Sequence, residues 1–254
     1  MMDELSVVII THNEEKNIAR CLDSIRALAG EIIVVDSHSN DATADLCRES
    51  GAKVITHDFQ GYGKQKQFAN SLATRPWILS LDADETLTLE LHDSIKNAIA
   101  HPVADAYSMN RLTRFCNQWI HHGGWYPDKK IRLFKKEAAN WNDFPVHEEL
   151  IVKKGRLTEH LKGDLLHYSI PSIDQHMERI NRYSTIAAEK IAASGKKITL
   201  YHLLIKPLAR FIKIYVLKAG FLDGFFGYII ARNSAFAIYL RYSKAKAITK
   251  TTIR

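Results

Sequence analysis

The chain has 254 residues, 46% apolar and 25% charged, an ordinary globular balance that argues against wholesale disorder and leaves room for one large domain with a helical appendix. Cys21, Cys47 and Cys116 are scattered, form no Cys-X-X-Cys pair and leave an odd thiol, which speaks against a disulfide framework or a structural zinc site and for a reducing cytoplasm. The net charge of +7 is uneven: Lys196 to Arg254 holds 12 Lys/Arg against Asp223 alone, interleaved with Leu, Ile, Phe and Tyr, a mixture that suits an anionic membrane surface rather than nucleic acid.

Met-Met-Asp-Glu and a short apolar run broken by His12 lack the basic start and long apolar core of a secretory signal, so a cytoplasmic location is expected. Leu5–Ile10 reads as a strand buried on both faces. A helix follows, with Asn13 as its candidate cap and Ile18, Cys21, Leu22 and Ile25 on one face. Glu31–Val35 is the second buried strand, and the polar loop from Asp36 to Asp41 leads into a helix over 42–49. Lys53–Thr56 is a third strand, 64–73 a helix and Trp77–Leu81 a fourth strand. This β-α-β-α-β-α-β order predicts an α/β fold, a Rossmann-like and mostly parallel sheet with helices on both faces and its ligand site beyond the strands' carboxyl ends. After a helix near 88–100, the strands Ala106–Arg111 and Lys130–Phe134 flank a loop rich in Trp, His and Gly.

From Pro171 the composition changes, dividing a catalytic domain over 1–170 from a basic, amphipathic helical region over 171–254. Ile173, Met177, Ile180, Ala187 and Ile191 space out one helix ending at Gly195. His202–Lys218 and Phe221–Tyr242 are apolar but interrupted by charge, and neither has the roughly 18 uncharged residues of a spanning helix. Lys206, Arg210 and Lys213 share one face, which fits a helix lying in a headgroup layer or packed on its own protein with a solvated stripe; Pro207 should bend that helix or begin it.

The chemistry concentrates where the fourth strand surfaces, at Asp82-Ala83-Asp84-Glu85. Two carboxylates one residue apart at a strand end can hold a hard divalent cation with positions left for phosphate oxygens; a plain turn opening the next helix, capped by Thr86, is the other reading. The first turn, Thr11-His12-Asn13-Glu14-Glu15, has no glycine, so neither a dinucleotide fingerprint nor a P-loop is present. Phosphate charge would then be neutralised by a metal on Asp84, with or without Asp82.

Ser6-Val-Val-Ile-Ile-Thr-His-Asn-Glu14, Ile33-Val-Val-Asp36-Ser-X-Ser39-X-Asp41 and Leu81-Asp82-Ala83-Asp84 resemble, in order and spacing, the family 2 glycosyltransferases of the GT-A fold. Gly61-Tyr-Gly-Lys-Gln-Lys-Gln, Gly124-Trp-Tyr-Pro, Arg132-Leu-Phe, Val146-His-Glu148 and Gly220-Phe-Leu-Asp-Gly224 extend the likeness to the bacterial lipopolysaccharide inner-core β-glucosyltransferases.

The resemblance implies an inverting enzyme that moves a hexose, glucose in that subfamily, from a UDP-sugar to a lipid-linked saccharide at the cytoplasmic face of the membrane. It sets Thr11, Asn13, Glu14 and Asp36 against uracil and ribose, brings Lys66 near the nucleotide, gives Asp82 to ribose or metal-bound water, and gives Asp84 to Mn2+ or Mg2+; a helix cap for Asp36 and a solvated helix face for Lys66 are the plain readings. His167 is a further candidate for metal or diphosphate, or else a core histidine. The acceptor's base falls on Glu148, with His147, Asp143 and Glu149 as rivals, and Trp125 and Tyr126 offer an acceptor platform or a packed aromatic loop. A nucleotidyltransferase on a similar sheet, and a non-catalytic basic module binding membrane or nucleic acid, are the competing functions.

Overall fold

The computed structural model describes residues 2–142 and 148–252. Its chain forms two compact units, one of residues 1–111 and 129–168, the other of 112–128 and 169–254. The division therefore does not fall at residue 170 alone: the loop rich in Trp, His and Gly belongs with the C-terminal helices.

In the first unit, β1 (Met2–Thr11) alternates sides so that Leu5, Val7 and Ile9 enter one core with α1 (Ile18–Ile25), while Val8 enters a second core on the opposite face. Both faces are dry, which explains the unbroken apolar run. β1 pairs in parallel with β2 (Ala29–Asp36) and, on its other side, with β4 (Trp77–Asp82). Between them run α2 (Thr43–Glu49), β3 (Lys53–Thr56), which pairs in parallel with β2, and α3 (Tyr62–Leu72). β5 (Glu85–Leu87) and α4 (Leu89–Ala100) come next, followed by β6 (Ala106–Phe115), whose residues from 112 on belong with β7 (Gln118–Trp119) to the second unit, and by β8 (Asp128–Lys135) and β11 (Thr158–Ile170). The sheet order is β3-β2-β1-β4-β8-β6-β11-β5, with β7 on β6. β9 (Ala139–Trp141) and β10 (Leu150–Val152) make a separate antiparallel pair. A parallel half continued by antiparallel strands β8 and β5 is the α/β architecture expected from the strand and helix order.

The caps differ from expectation. Asn13 does not cap α1, whose first flanking residue is Asn17 without a side-chain cap bond; it adopts a left-handed conformation (φ 55°) and accepts a hydrogen bond from Asn40 N (2.9 Å) instead. Thr86 lies within β5, and Thr88 caps α4 by accepting from Leu91 N (3.3 Å).

Thr88 does more than cap. Its backbone N donates to Asp164 O (3.1 Å), and its hydroxyl accepts from Asp164 N (3.1 Å), tying the start of α4 to β11. The approach is close enough that a Cβ on Gly163 (φ +87°) would lie 2.3 Å from Leu91 N. Gly163→Ala should therefore lower the denaturant midpoint at unchanged slope, by at least the ~1–3 kcal/mol of a strained backbone. A midpoint equal to wild type in urea unfolding would contradict this packing.

In the second unit, Phe115, Ile120, Ile170, Ile214, Ile230 and Ala231 form the core. α5 (Ile173–Ala193) is capped by Ser172, which accepts from Gln175 N (3.2 Å), and packs against α7 (Gly224–Thr252). α6 (Lys206–Ile212) lies between two π-helical turns, Tyr201–Ile205 and Lys213–Leu217, and Pro207 sits in its first turn, where a missing N–H costs least.

Candidate functional site

Parallel register sets the site. Thr11 is the partner of Asp36 and Ile10 the partner of Asp82, so the carboxyl ends of β1, β2 and β4 reach one edge together. The first two loops are stitched there: Asn13 N donates to Ser39 Oγ (2.8 Å), Glu14 N to Thr43 Oγ1 (2.8 Å) and Ser37 N to Thr11 O (2.9 Å). Asp36 is 3% exposed and shapes its own turn, accepting from Ser39 N (3.0 Å) and Ser39 Oγ (2.5 Å). At the same edge Thr11 Oγ1 is a buried hydroxyl with no hydrogen-bond partner among the described residues.

At the end of β4 lies a charge cluster in which the sequence assigns Lys66 and Asp82 but not Arg132, Glu85 or Arg111. Asp82 Oδ1 is 2.9 Å from Lys66 Nζ and Asp82 Oδ2 is 2.7 Å from Arg132, so each of its oxygens already faces a cation. Arg132 also reaches Glu85 (2.6 Å), which Arg111 approaches at 3.6 Å, and Glu85 Oε2 accepts from Asp82 N (3.0 Å). Lys66, Arg132 and Glu85 are essentially sealed from water. Lys66 and Arg132 both lie over the Trp141 ring, at 4.5 and 5.6 Å. Burial alone would raise the Asp82 pKa, but Lys66 and Arg132 more than reverse it and hold the carboxyl well below the usual range. The same acids push the buried Cys21 thiol the other way, well above its ordinary value, with burial the larger cause; all three cysteines are free.

Asp84 is placed differently. Its Oδ2 stands 3.3 Å from His167 Nε2, and its backbone carbonyl accepts from Tyr168 N (2.9 Å), because β11 pairs with β5 in a register that sets His167 opposite Glu85. Among the described residues no three His, Cys, Asp or Glu gather as a metal cage. A cation at this turn would have Asp84 and His167 as its nearest protein donors, one carboxylate and one imidazole, with its other positions left to water and phosphate. Asp82, given to ribose, to metal-bound water or to a share of the metal, has one oxygen on Lys66 and the other on Arg132.

Glu148 Oε1 lies 3.8 Å from Lys66 Nζ, so Glu148, Lys66 and Asp82 converge. Glu149 is exposed at the start of the β10 hairpin strand, its N donating to Asn142 Oδ1 (3.1 Å). His147 and Asp143 lie outside the described residues. Trp125 and Tyr126 belong to the second unit, where Trp125 packs edge-on against Phe115 (6.0 Å between centroids) and Tyr126 against His121 (5.7 Å). The signal for the missed residues was a lone arginine inside the apolar run Ile131–Phe134 and a third acid, Glu85, next to the pair.

A doubly wound sheet with Thr11, Asp36 and Asp82 at three adjacent strand ends defines a class of α/β enzymes that hold ligands at the carboxyl edge. Within that class, the sequence profile described as Glycosyl transferase family 2 matches residues 6–154, and the chain belongs to that family. An uncharacterized glycosyltransferase of Rickettsia typhi is 33% identical over 98% of this chain and 88% of its own. The lipopolysaccharide core biosynthesis glycosyltransferase LpsC of Rhizobium meliloti is 29% identical over 94% of this chain and 93% of its own. Among solved structures, TarS 1–349 of S. aureus is 14% identical with a TM-score of 0.48, covering 98% of this chain and 91% of that one. The protein is a glycosyltransferase, and family membership sets aside the nucleotidyltransferase and the non-catalytic module.

Proposed function

We propose that the enzyme transfers a hexose, glucose from UDP-glucose, with inversion onto a lipid-linked saccharide of the lipopolysaccharide core type. The observation that carries the donor class is the convergence of Thr11, Asp36 and the Asp82–Asp84 turn on one sheet edge, with a buried, unpartnered hydroxyl among them. The acceptor class draws on the name borne by the LpsC relative, alike over nearly its whole length.

In this reading Asp36 and the stitched first and second loops hold the uridine, and the buried Lys66 lends its charge to that edge through its pair with Asp82. Asp84 and His167 would hold Mn2+ or Mg2+, which supplies Lewis-acid stabilisation of the leaving diphosphate. Glu148 takes the proton of the acceptor hydroxyl as its oxygen attacks the anomeric carbon. The bond from that carbon to the diphosphate breaks on the opposite face, releasing UDP and inverting the centre.

The deciding measurement is UDP release from UDP-glucose with a core saccharide acceptor and Mn2+, on wild type and Asp84→Ala. Wild type should turn over only with metal, and the variant should lose on the order of 10²-fold or more, since several kcal/mol of charge stabilisation go with the metal. Undiminished turnover by the variant would end this assignment of Asp84, and turnover with other nucleotide sugars but not UDP-sugars would overturn the donor.

A further inference from the structure

The region Lys196–Arg254 contains one acid, and the fold turns it inward. Asp223 is 5% exposed, accepts from the backbone N of His121 (3.2 Å) and His122 (2.8 Å), and pairs with His122 Nδ1 (2.9 Å). Gln118 holds its carbonyl at 2.9 Å. The surface of this segment therefore presents cations and no accessible acid.

Asp223 ties the start of the second of two helical arms, Tyr201–Leu217 and Gly220–Thr249, bent by 74°, to the segment 118–122. No single helix among the described residues is long and apolar enough to cross a membrane. The bend is built rather than loose. A Cβ on Gly220 would lie 2.7 Å from Ile214 O, and one on Gly227 would lie 1.9 Å from Gly220 O, so only glycine lets the arms close this far.

Around this fixed turn Leu217 (76% exposed), Phe221, Leu222 and Phe225 (65% exposed) stand in solvent. Along the first arm Leu204, Leu208, Ile212 and Val216 repeat every fourth residue, also exposed, with Arg210 and Lys213 exposed among them. A concentration of large apolar side chains of this kind marks an interaction surface. Its chemistry selects the occupant: apolar groups suit the acyl boundary, and Lys and Arg without a competing carboxylate suit phosphate headgroups. A second copy of the chain would set the same cations against each other.

We propose that the bent arms form a preset wedge that seats in the interface of an anionic phospholipid bilayer, the turn at Leu217–Phe225 entering first. Vesicle binding needs neither donor nor acceptor, so it is independent of the reading of the catalytic site.

The test is co-sedimentation of the intact protein with vesicles of phosphatidylcholine alone and of phosphatidylcholine with phosphatidylglycerol. Wild type should pellet with the anionic vesicles. Binding should fall about tenfold or more in Leu222→Asp/Phe225→Asp and in Arg210→Glu/Lys213→Glu, since each basic residue at such a surface contributes about one kcal/mol. Val103→Asp, at an exposed apolar position of the first unit, should bind as wild type. Phe225→Trp, which keeps the apolar character, should shift its fluorescence to the blue on anionic vesicles. Equal binding to neutral vesicles, unchanged binding by the turn variant, or an unshifted tryptophan would overturn the proposal. So would lipid-free dimerisation abolished by Leu222→Asp/Phe225→Asp, which would give the surface to a second copy.

Discussion

Arg132→Leu is expected to remove about 3–5 kcal/mol of folding stability, the cost of leaving a buried charge without its partner. Glu85 is fully buried, and Arg132 is its closest cation at 2.6 Å, Arg111 standing back at 3.6 Å. Against a total stability of about 5–15 kcal/mol the loss is large. Urea unfolding would read it, and Arg132→Leu/Glu85→Leu should recover a large part by removing both charges together. A single variant within about 1 kcal/mol of wild type would show that the pair is solvated after all. The pH dependence follows from Asp82. Its folded pKa is depressed, so its stabilisation is complete above the unfolded carboxylate value near 4 and is lost as pH falls below that toward the folded value. Losing Arg132 shrinks the gap between the two values, so the acid limb of the variant should be shorter and shallower.

Glu148→Gln should lower kcat by about 10²–10⁴ while the affinity for the nucleotide sugar stays near wild type, because a general base acts in the chemical step and not in donor binding. Its oxygen lies 3.8 Å from Lys66, which is itself on Asp82, so the carboxylate stands near the carboxyl end of β4. Glu149, exposed just before β10, has no ion pair with Lys66 among the described residues, and Glu149→Gln serves as the control. Turnover retained in Glu148→Gln together with unaltered donor binding would strike it from the mechanism.

The parallel half of the sheet was legible because period and burial agree there: Val7, Val8 and Ile9 are dry on both faces, so their strand reads as an unbroken apolar run. Strand order then carried Thr11, Asp36 and Asp82 to a common edge without knowledge of any contact. The lock beneath them was not legible. Arg132 and Glu85 are 47 residues apart, and only strand pairing brings an arginine to an acid that the sequence shows merely as a neighbour of the pair. His167 is a candidate through the family likeness alone, and what fixes it beside Asp84 is the antiparallel register of β11 on β5, held by Thr88 and Gly163. The caps failed for a related reason: Asn13 had a partner in the next loop that competed with the helix end.

The interleaving of the two units bears on how the enzyme can be dissected. A chain cut after residue 170 would still carry Phe115 and Ile120 but would lose Ile214, Ile230 and Ala231, the apolar groups that cover them. Such a fragment would put bare oily surface into water, so a soluble stand-alone sugar-transfer half requires replacing the 112–128 excursion as well as deleting the tail.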